Sequence, residues 1–405
     1  MKLRIRARAL ALALILLAGC ASAPRVPTPL PDSSLSELSA TNLPLRVDWI
    51  SPVGVPPLES PVFHPLEYAQ PLVDGGRIFV GATNGTCFAL NARNGVPVWK
   101  FQAFGPVEGQ PVAAGGVVAF GDSDGMVYGI DRSTGFAKWT FQLGGEVMGG
   151  GAYDGKYVYV ATSYNRVYAV DAATGAWKWM YQRDLSATFS VRGVATPVLQ
   201  NGVLYAGFSD GYVAAIDTKT GKEIWKNLLK IDERLADVDA SPLVEGDALY
   251  IAAYDGALYK LGLASGEVVW KSDRVGGISR PASVGEYLIV ASSRGFVYAV
   301  SKSEGTQMWE TDIRHEDKAG SVARAPRIRI KVPTAPTVFG NAILTTSNEG
   351  FLYALDARIG SVRWRFHPGL GASSGFARDE NRIYFLANGG NLYAMSQGAP
   401  ESVGP

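Results

Sequence analysis

The sequence predicts an all-β fold: an eight-bladed β-propeller with four-stranded antiparallel blades, closed by an N-terminal strand that completes the last blade. Three observations predict it. A tight turn ending in Gly or Asn recurs eight times, seven of those turns are followed 14 residues later by a tryptophan, and a spare tryptophan-bearing strand lies near the N-terminus.

The 405-residue chain carries 47 Gly, 11% aromatic and only 19% charged residues, a profile of many tight turns joined by apolar strands. Length leaves the domain count open, because closed all-β architectures remain one domain at sizes where other folds divide. Residues 1–19 read as an export signal: Lys2, Arg4, Arg6 and Arg8 form a basic n-region, and Ala9–Leu17 an apolar stretch too short to span a bilayer. The stretch ends on Leu17-Ala18-Gly19-Cys20, which resembles a bacterial lipobox and implies lipidation of Cys20. More than one acyl chain is needed for stable attachment, and a lipoprotein anchor supplies them. By resemblance to the lipoprotein sorting rule, Ala21 rather than Asp after the cysteine points to the outer membrane. Residues 20–44 therefore read as a lipidated cysteine and a flexible tether rich in Pro, Ser, Thr and Ala, 45–396 as the propeller, and 397–405 as a flexible polar tail. Without the four signal cations, 34 basic residues face 37 acidic ones, which argues against nucleic-acid binding.

The turns are Asn84-Gly85, Asp124-Gly125, Tyr164-Asn165, Asp210-Gly211, Asp255-Gly256, Arg294-Gly295, Glu349-Gly350 and Gly389-Gly390, mostly residues that tolerate the positive φ of hairpins. Their tryptophans are Trp99, Trp139, Trp179, Trp225, Trp270, Trp309 and Trp364; the eighth place, counted from Gly390, falls on Gly404 in the polar tail. The vacant outer strand is supplied by Leu45–Ser51, which has the alternation and Trp49, so the N-terminus closes the ring and removes free sheet edges. A tryptophan at one register in every blade is packing between neighbouring sheets, not a ligand cage. Pairs such as Val127/Tyr128 and Val297/Tyr298 alternate with period two, so the two faces of each sheet pack on different neighbours. Cys87 takes the valine place in blade one and reads as a small buried hydrophobe.

Because the turn-to-tryptophan interval is fixed, length variation falls between each tryptophan and the next turn. From Trp99 onward four intervals are 25 or 26 residues, but 32 follow Trp179, 31 follow Trp225 and 41 follow Trp309. Blade-to-blade connections emerge on one face, so the insertions build out one side. The first carries Phe189, Val191, Arg192 and Gly193; the second carries Arg234-Leu235-Ala236-Asp237-Val238-Asp239. Apolar side chains beside a forked guanidinium and two carboxylates have the anatomy of a protein interface, although Arg192 and the aspartates bridging each other to stiffen the loops is an equally physical reading. The third insertion, Arg314 to Lys331, with Arg324, Arg327 and Arg329, reads as a solvated loop.

The segments Asp171-Ala172-Ala173-Thr174-Gly175-Ala176-Trp177-Lys178-Trp179 and Asp217-Thr218-Lys219-Thr220-Gly221-Lys222-Glu223-Ile224-Trp225 resemble quinoprotein-type propeller repeats. Two branches share them: pyrroloquinoline-quinone dehydrogenases, and the BamB family of lipoproteins of the outer-membrane β-barrel assembly machinery. Resemblance to the second covers the lipobox, the tether, all eight blades and, most specifically, the segments 234–239 and 191–193. It implies a non-enzymatic scaffold in the periplasm, without a cofactor, that binds the periplasmic domains of the barrel insertase (BamA-type) through Phe189, Val191, Arg192, Asp237 and Asp239, and that meets unfolded outer-membrane protein clients. The long third insertion, with Gly262-Leu263 and Ser301 where the repeat has aspartate, departs from that pattern. In the dehydrogenase branch the quinone comes with adjacent cysteines and a calcium; here no Cys-Cys pair exists, and His64, His315 and His367 have no ligand spacing. Service in another envelope complex is the third reading.

Overall fold

The computed structural model describes residues 27–36, 38–41, 43–54, 66–183, 194–229, 238, 240–253, 256–273, 275–277, 279–314, 332–348 and 350–398. Their strands form eight four-stranded antiparallel sheets, seven of them built from consecutive strands. The eighth takes its fourth strand from the N-terminus: Leu45–Pro52 runs antiparallel to Asn391–Gln397, with Leu45 opposite Gln397 and Pro52 opposite Asn391. The expected ring of eight and its closing strand are both present.

The register shows that Trp49 is a true repeat member. In every blade the outer strand bulges by one residue immediately before its tryptophan, skipping Val98, Lys138, Lys178, Ile224, Val269, Met308 and Arg363 in blades one to seven and Asp48 in blade eight. The bulge turns the indole toward the next blade. In six of the eight blades its Nε1 donates there to a carbonyl of the neighbour's third-to-fourth strand turn, as from Trp99 to Arg132 at 3.0 Å, Trp139 to Ala172 at 2.9 Å, Trp179 to Thr218 at 2.8 Å, and across the closure Trp49 to Ala92 at 3.2 Å, whereas Trp309 Nε1 is buried without a partner among the described residues. The ring itself lies on the glycine of that turn. A Cβ on Gly95, Gly135, Gly175, Gly221, Gly266, Gly305 or Gly360 would stand only 2.3–2.8 Å from the indole of the preceding blade, and all seven have φ of +71 to +79°. Each Thr-Gly or equivalent pair is therefore a socket for the preceding blade's tryptophan.

The same turns are capped by aspartate. Asp131 accepts from the amides and hydroxyls of Ser133 and Thr134 at 2.6–3.1 Å, and these bonds hold its carboxyl well below the usual range. Asp171 and Asp217 are held down in the same way. Blades five and six lack the carboxylate, yet Gly266 N still donates to Gly262 O at 2.8 Å and Gly305 N to Ser301 O at 2.9 Å. The backbone turn thus persists and only its cap is lost.

Strand faces pack on different neighbours, as the alternation predicts. Fully buried Val127 joins the cluster of Val158 and Tyr168, whereas Tyr128 packs with Phe79 and Trp99 of the previous blade. Cys87 is buried in that second cluster, and burial pushes its thiol up, which leaves it inert.

Strand direction divides the disc into two faces. The second-to-third strand turns and the blade-to-blade connections lie on one, here the loop face; the first-to-second and third-to-fourth strand turns lie on the other. The described ends of the connections that carry the three insertions lie on the loop face. The segment before the closing strand lies on the opposite side, and from residue 27 it is a docked strap, not the free tether its composition suggests. Thr28 N donates to Met308 O and Leu30 N to Arg358 O, Leu30 is fully buried, and Leu35 and Leu38 pack on the core between blades six and seven. Thr41 Oγ1 then bonds Phe339 O at 2.6 Å. Three leucines at 30, 35 and 38 bury enough apolar surface to hold a Pro- and Ser-rich chain in place.

Candidate binding face and central channel

The five residues singled out for partner binding, Phe189, Val191, Arg192, Asp237 and Asp239, lie outside the described residues, as does Cys20; so do the basic residues 315–331. The structure gives the frame from which those connections spring. The first leaves blade three at Arg183, whose Nε donates to Asp210 Oδ2 at 2.7 Å while its guanidinium lies 3.9 Å over the Tyr212 ring. Burial acts to lower the Arg183 guanidinium, but its bonds to Tyr181 and Asp210 hold it above its ordinary value; burial, the larger influence on Asp210, raises that carboxyl in spite of the pair. The connection returns at Val194 and Thr196, where Gly150 N donates to Thr196 Oγ1 and Thr196 N to Ser241 Oγ. The second connection leaves at Leu229, whose carbonyl accepts from Tyr259 Oη, and comes back through Val238, fully buried with its N donating to Phe208 O. Val238 repeats Val107 and Val147, which plug the preceding joints in the same way. Both candidate loops are therefore rooted in adjacent blades on one face. Phe104, 79% exposed in the connection from blade one to blade two, and Tyr164 in the blade-three turn add aromatic surface to that face.

The repeat place of Val107, Val147 and Val238 is taken in blade one by a charge. Glu67 is fully buried, its carboxylate accepts from Thr83 N and Oγ1 at 3.0 Å each, its own N donates to Asn388, and burial raises its pKa. A raised folded pKa favours the protonated form, so its contribution is complete below the unfolded value and is lost as pH rises through the folded one. Glu67→Gln supplies a neutral amide that satisfies both Thr83 groups. It is expected to unfold like the parent at pH 4 and to be more stable by about 1 kcal/mol at pH 8, checked by urea denaturation at the two pH values.

Along the axis the blades enclose a channel of about 800 Å³ lined from all eight of them. One residue from each of seven blades recurs in its wall, the one just before the proline that opens the innermost strand: Gln70, Gln110, Thr196, Ser241, Arg280 and Ala335, with Gly150 at the equivalent place in blade three. Most of these stitch neighbouring blades. Gln70 Nε2 donates to Phe376 O at 2.7 Å, Gln110 Nε2 to Pro71 O at 3.0 Å, and the Thr196 and Ser241 hydroxyls accept from Gly150 N and Thr196 N. The recurrent polar-proline pair was a readable signal in the sequence that the turn-and-tryptophan register did not use.

A family model described as outer membrane protein assembly factor BamB matches residues 49–151 and 127–311, more than half of the chain. The chain belongs to this family. Both candidate loops fall inside the matched residues. BamB of Legionella pneumophila is 24% identical over 219 residues, 51% of this chain and 51% of that protein. BamB of Escherichia coli is 28% identical over 120 residues, 30% and 29% of the two chains. Quinohemoprotein alcohol dehydrogenase ADH IIB of Pseudomonas putida is 25% identical over 183 residues, 44% of this chain and 21% of that one. The chain spans about half or less of the length of these curated relatives. Among solved structures, BamB from Moraxella catarrhalis superposes with a TM-score of 0.73 at 20% identity, covering 87% of this chain and all of that one. A europium-containing methanol dehydrogenase gives 0.70 at 14% identity, covering 87% and 93%. At such identities the likeness is one of fold alone.

The BamB and dehydrogenase branches differ in what their propellers must hold. A quinone site with a bound cation needs clustered oxygen donors. Among the described residues no three His, Cys, Asp or Glu side chains come together, and Cys87 lies alone in the core. His367 is an exposed loop residue whose Nδ1 accepts from Gly369 N; His64 and His315 lie outside the described residues. The described residues do not fit that group.

Proposed function

We propose that the protein is a non-catalytic, lipid-anchored scaffold of outer-membrane β-barrel assembly that binds the periplasmic domains of the barrel insertase through two adjacent blade-to-blade connections. The observation that carries this reading is the BamB family match, whose two overlapping stretches, 49–151 and 127–311, take in both connections. Two structural facts support it. The roots of the two loops sit side by side on the loop face, Thr196 bonding both Gly150 of blade three and Ser241 of blade five. The strap meanwhile delivers the N-terminus to the opposite face. Six residues lie between Cys20 and Pro27, and the seven Cα–Cα steps span at most about 25 Å. An acylated Cys20 would thus hold blades six and seven toward the membrane and leave the loop face free for a protein partner.

On this reading Arg192→Glu and Asp237→Lys each reverse a charge in the interface. Insertase recovered with the purified envelope protein is expected to fall at least tenfold in both variants, while their unfolding midpoints match the parent. Undiminished recovery from both would refute the docking site. The match to ADH IIB keeps the quinone-enzyme reading testable: that reading requires a spectral change when pyrroloquinoline quinone is added to the purified protein, followed by dye reduction with an alcohol.

A further inference from the structure

The ring of residues in the channel wall contains one that does not stitch blades. Arg280 in blade six occupies the place that Gln70, Gln110, Thr196 and Ser241 use to bind a neighbouring blade, yet among the described residues none of its donors has a carbonyl or carboxylate partner. Its side chain is accessible from the channel space, but the surrounding blades strip away enough bulk water to pull its guanidinium below the ordinary value. A carboxylate in contact would have moved that guanidinium the other way, as Asp210 does for Arg183. Arg378, a quarter-turn away on blade eight, is a second exposed cation on the same wall, also without an ion pair among the described residues. The carboxylate that lines the channel, Glu108, lies on blade two, diametrically across from blade six, and accepts from Ser123 Oγ at 3.1 Å.

Between these charges the wall offers hydroxyls and carbon. Ser279, Ser283 and Thr337 flank the Arg280 side, while Val198, Leu243, Pro281 and Val338 supply apolar contact. A volume of about 800 Å³ is in the range that encloses a small organic molecule, and such sites pair an apolar wall with a few polar groups that fix orientation. A guanidinium with five donors and no partner among the described residues is built for a planar oxyanion.

We propose that the central channel is a binding site for a small organic anion, with Arg280 and Arg378 receiving its carboxylate or phosphate head and the apolar wall of blades four to seven receiving its body. The site is separate from the loops proposed to dock the insertase, so it stands or falls on its own.

Isothermal titration of the full-length purified protein with benzoate, phenyl phosphate and the uncharged isostere benzamide tests it. Benzoate or phenyl phosphate is expected to bind with a dissociation constant below about 1 mM, and benzamide at least tenfold more weakly. Arg280→Gln is expected to lose at least tenfold in anion affinity and Arg280→Lys to retain part of it, while Arg93→Gln, remote from the channel, is expected to bind as the parent does. Removing an unpaired cation leaves no group unsatisfied, so Arg280→Gln is expected to fold, and its circular dichroism checks this. Equal binding of benzoate and benzamide, undiminished binding by Arg280→Gln, or no heat from either anion would overturn the proposal.

Discussion

Trp49→Ala is expected to cost about 3 kcal/mol and to make the ring associate with other copies more than the parent does. Its indole donates to Ala92 O, lies on Gly95 of blade one and meets Tyr384 at a ring-centroid distance of 6.0 Å. Those contacts join the last blade to the first, and truncation removes the hydrogen bond and the packing together. Trp139→Ala deletes the equivalent joint between blades two and three and is expected to cost a similar amount. The two variants differ in how the damaged joint behaves. Blades two and three remain covalently continuous, whereas the closing strand Leu45–Pro52 is joined to the rest of its own blade by non-covalent contacts, its pairing with Asn391–Gln397 and the Asp48–Arg382 ion pair among them. When it frays, the strand Asn391–Gln397 presents an open edge that pairs with another chain. Urea denaturation and light scattering of the two variants separate the outcomes. An equal loss of stability with no difference in association would show that the closure is not special.

Gly207→Val is expected to abolish insertase recovery although it leaves Phe189, Val191, Arg192, Asp237 and Asp239 in place. A Cβ at Gly207 would stand 2.3 Å from Val238 O and 3.0 Å from Val238 Cγ1, so the larger side chain has to expel Val238 from the joint between blades four and five. Val238 is the buried root of the second candidate loop, between Asp237 and Asp239. Overpacking of this kind costs about 1–3 kcal/mol. Gly81→Val is the matched control, since its Cβ would meet Val107 Cγ1 at 2.3 Å in the joint between blades one and two, away from both candidate loops. Both variants are expected to lose similar stability, but only Gly207→Val to lose the partner. Equal losses of partner in the two would mean that recovery follows stability and not the loop.

The ring was legible because its signal is periodic and local. Glycine, tryptophan and aspartate recur at fixed offsets, and each offset has one physical cause: a positive φ, a socket for an indole, a cap on a turn. Trp49 was legible because the same register left one place vacant. The bulge before each tryptophan was not, since Val98, Lys138 and Asp48 share no chemistry; the backbone register alone defines it. The strap was misread from composition. Pro and Ser suggest a free chain, but Leu30, Leu35 and Leu38 are spaced too irregularly to announce a docking stripe, and only contact with blades six and seven gives them a purpose. Glu67 and Arg280 were hidden for a related reason. Each stands at a repeat place where other blades carry a neutral residue, and a single exception is visible only after the place has been aligned in space. The candidate loops were found as insertions, by length, and their side chains lie outside the described residues.

A photo-crosslinking residue placed at position 191 or 237 in cells, with position 247 on the opposite face as control, tests the central claim most directly. The expected result is a crosslink from 191 and 237 to the barrel insertase and none from 247. Crosslinks to other envelope proteins alone, or equal insertase crosslinking from both faces, would contradict it.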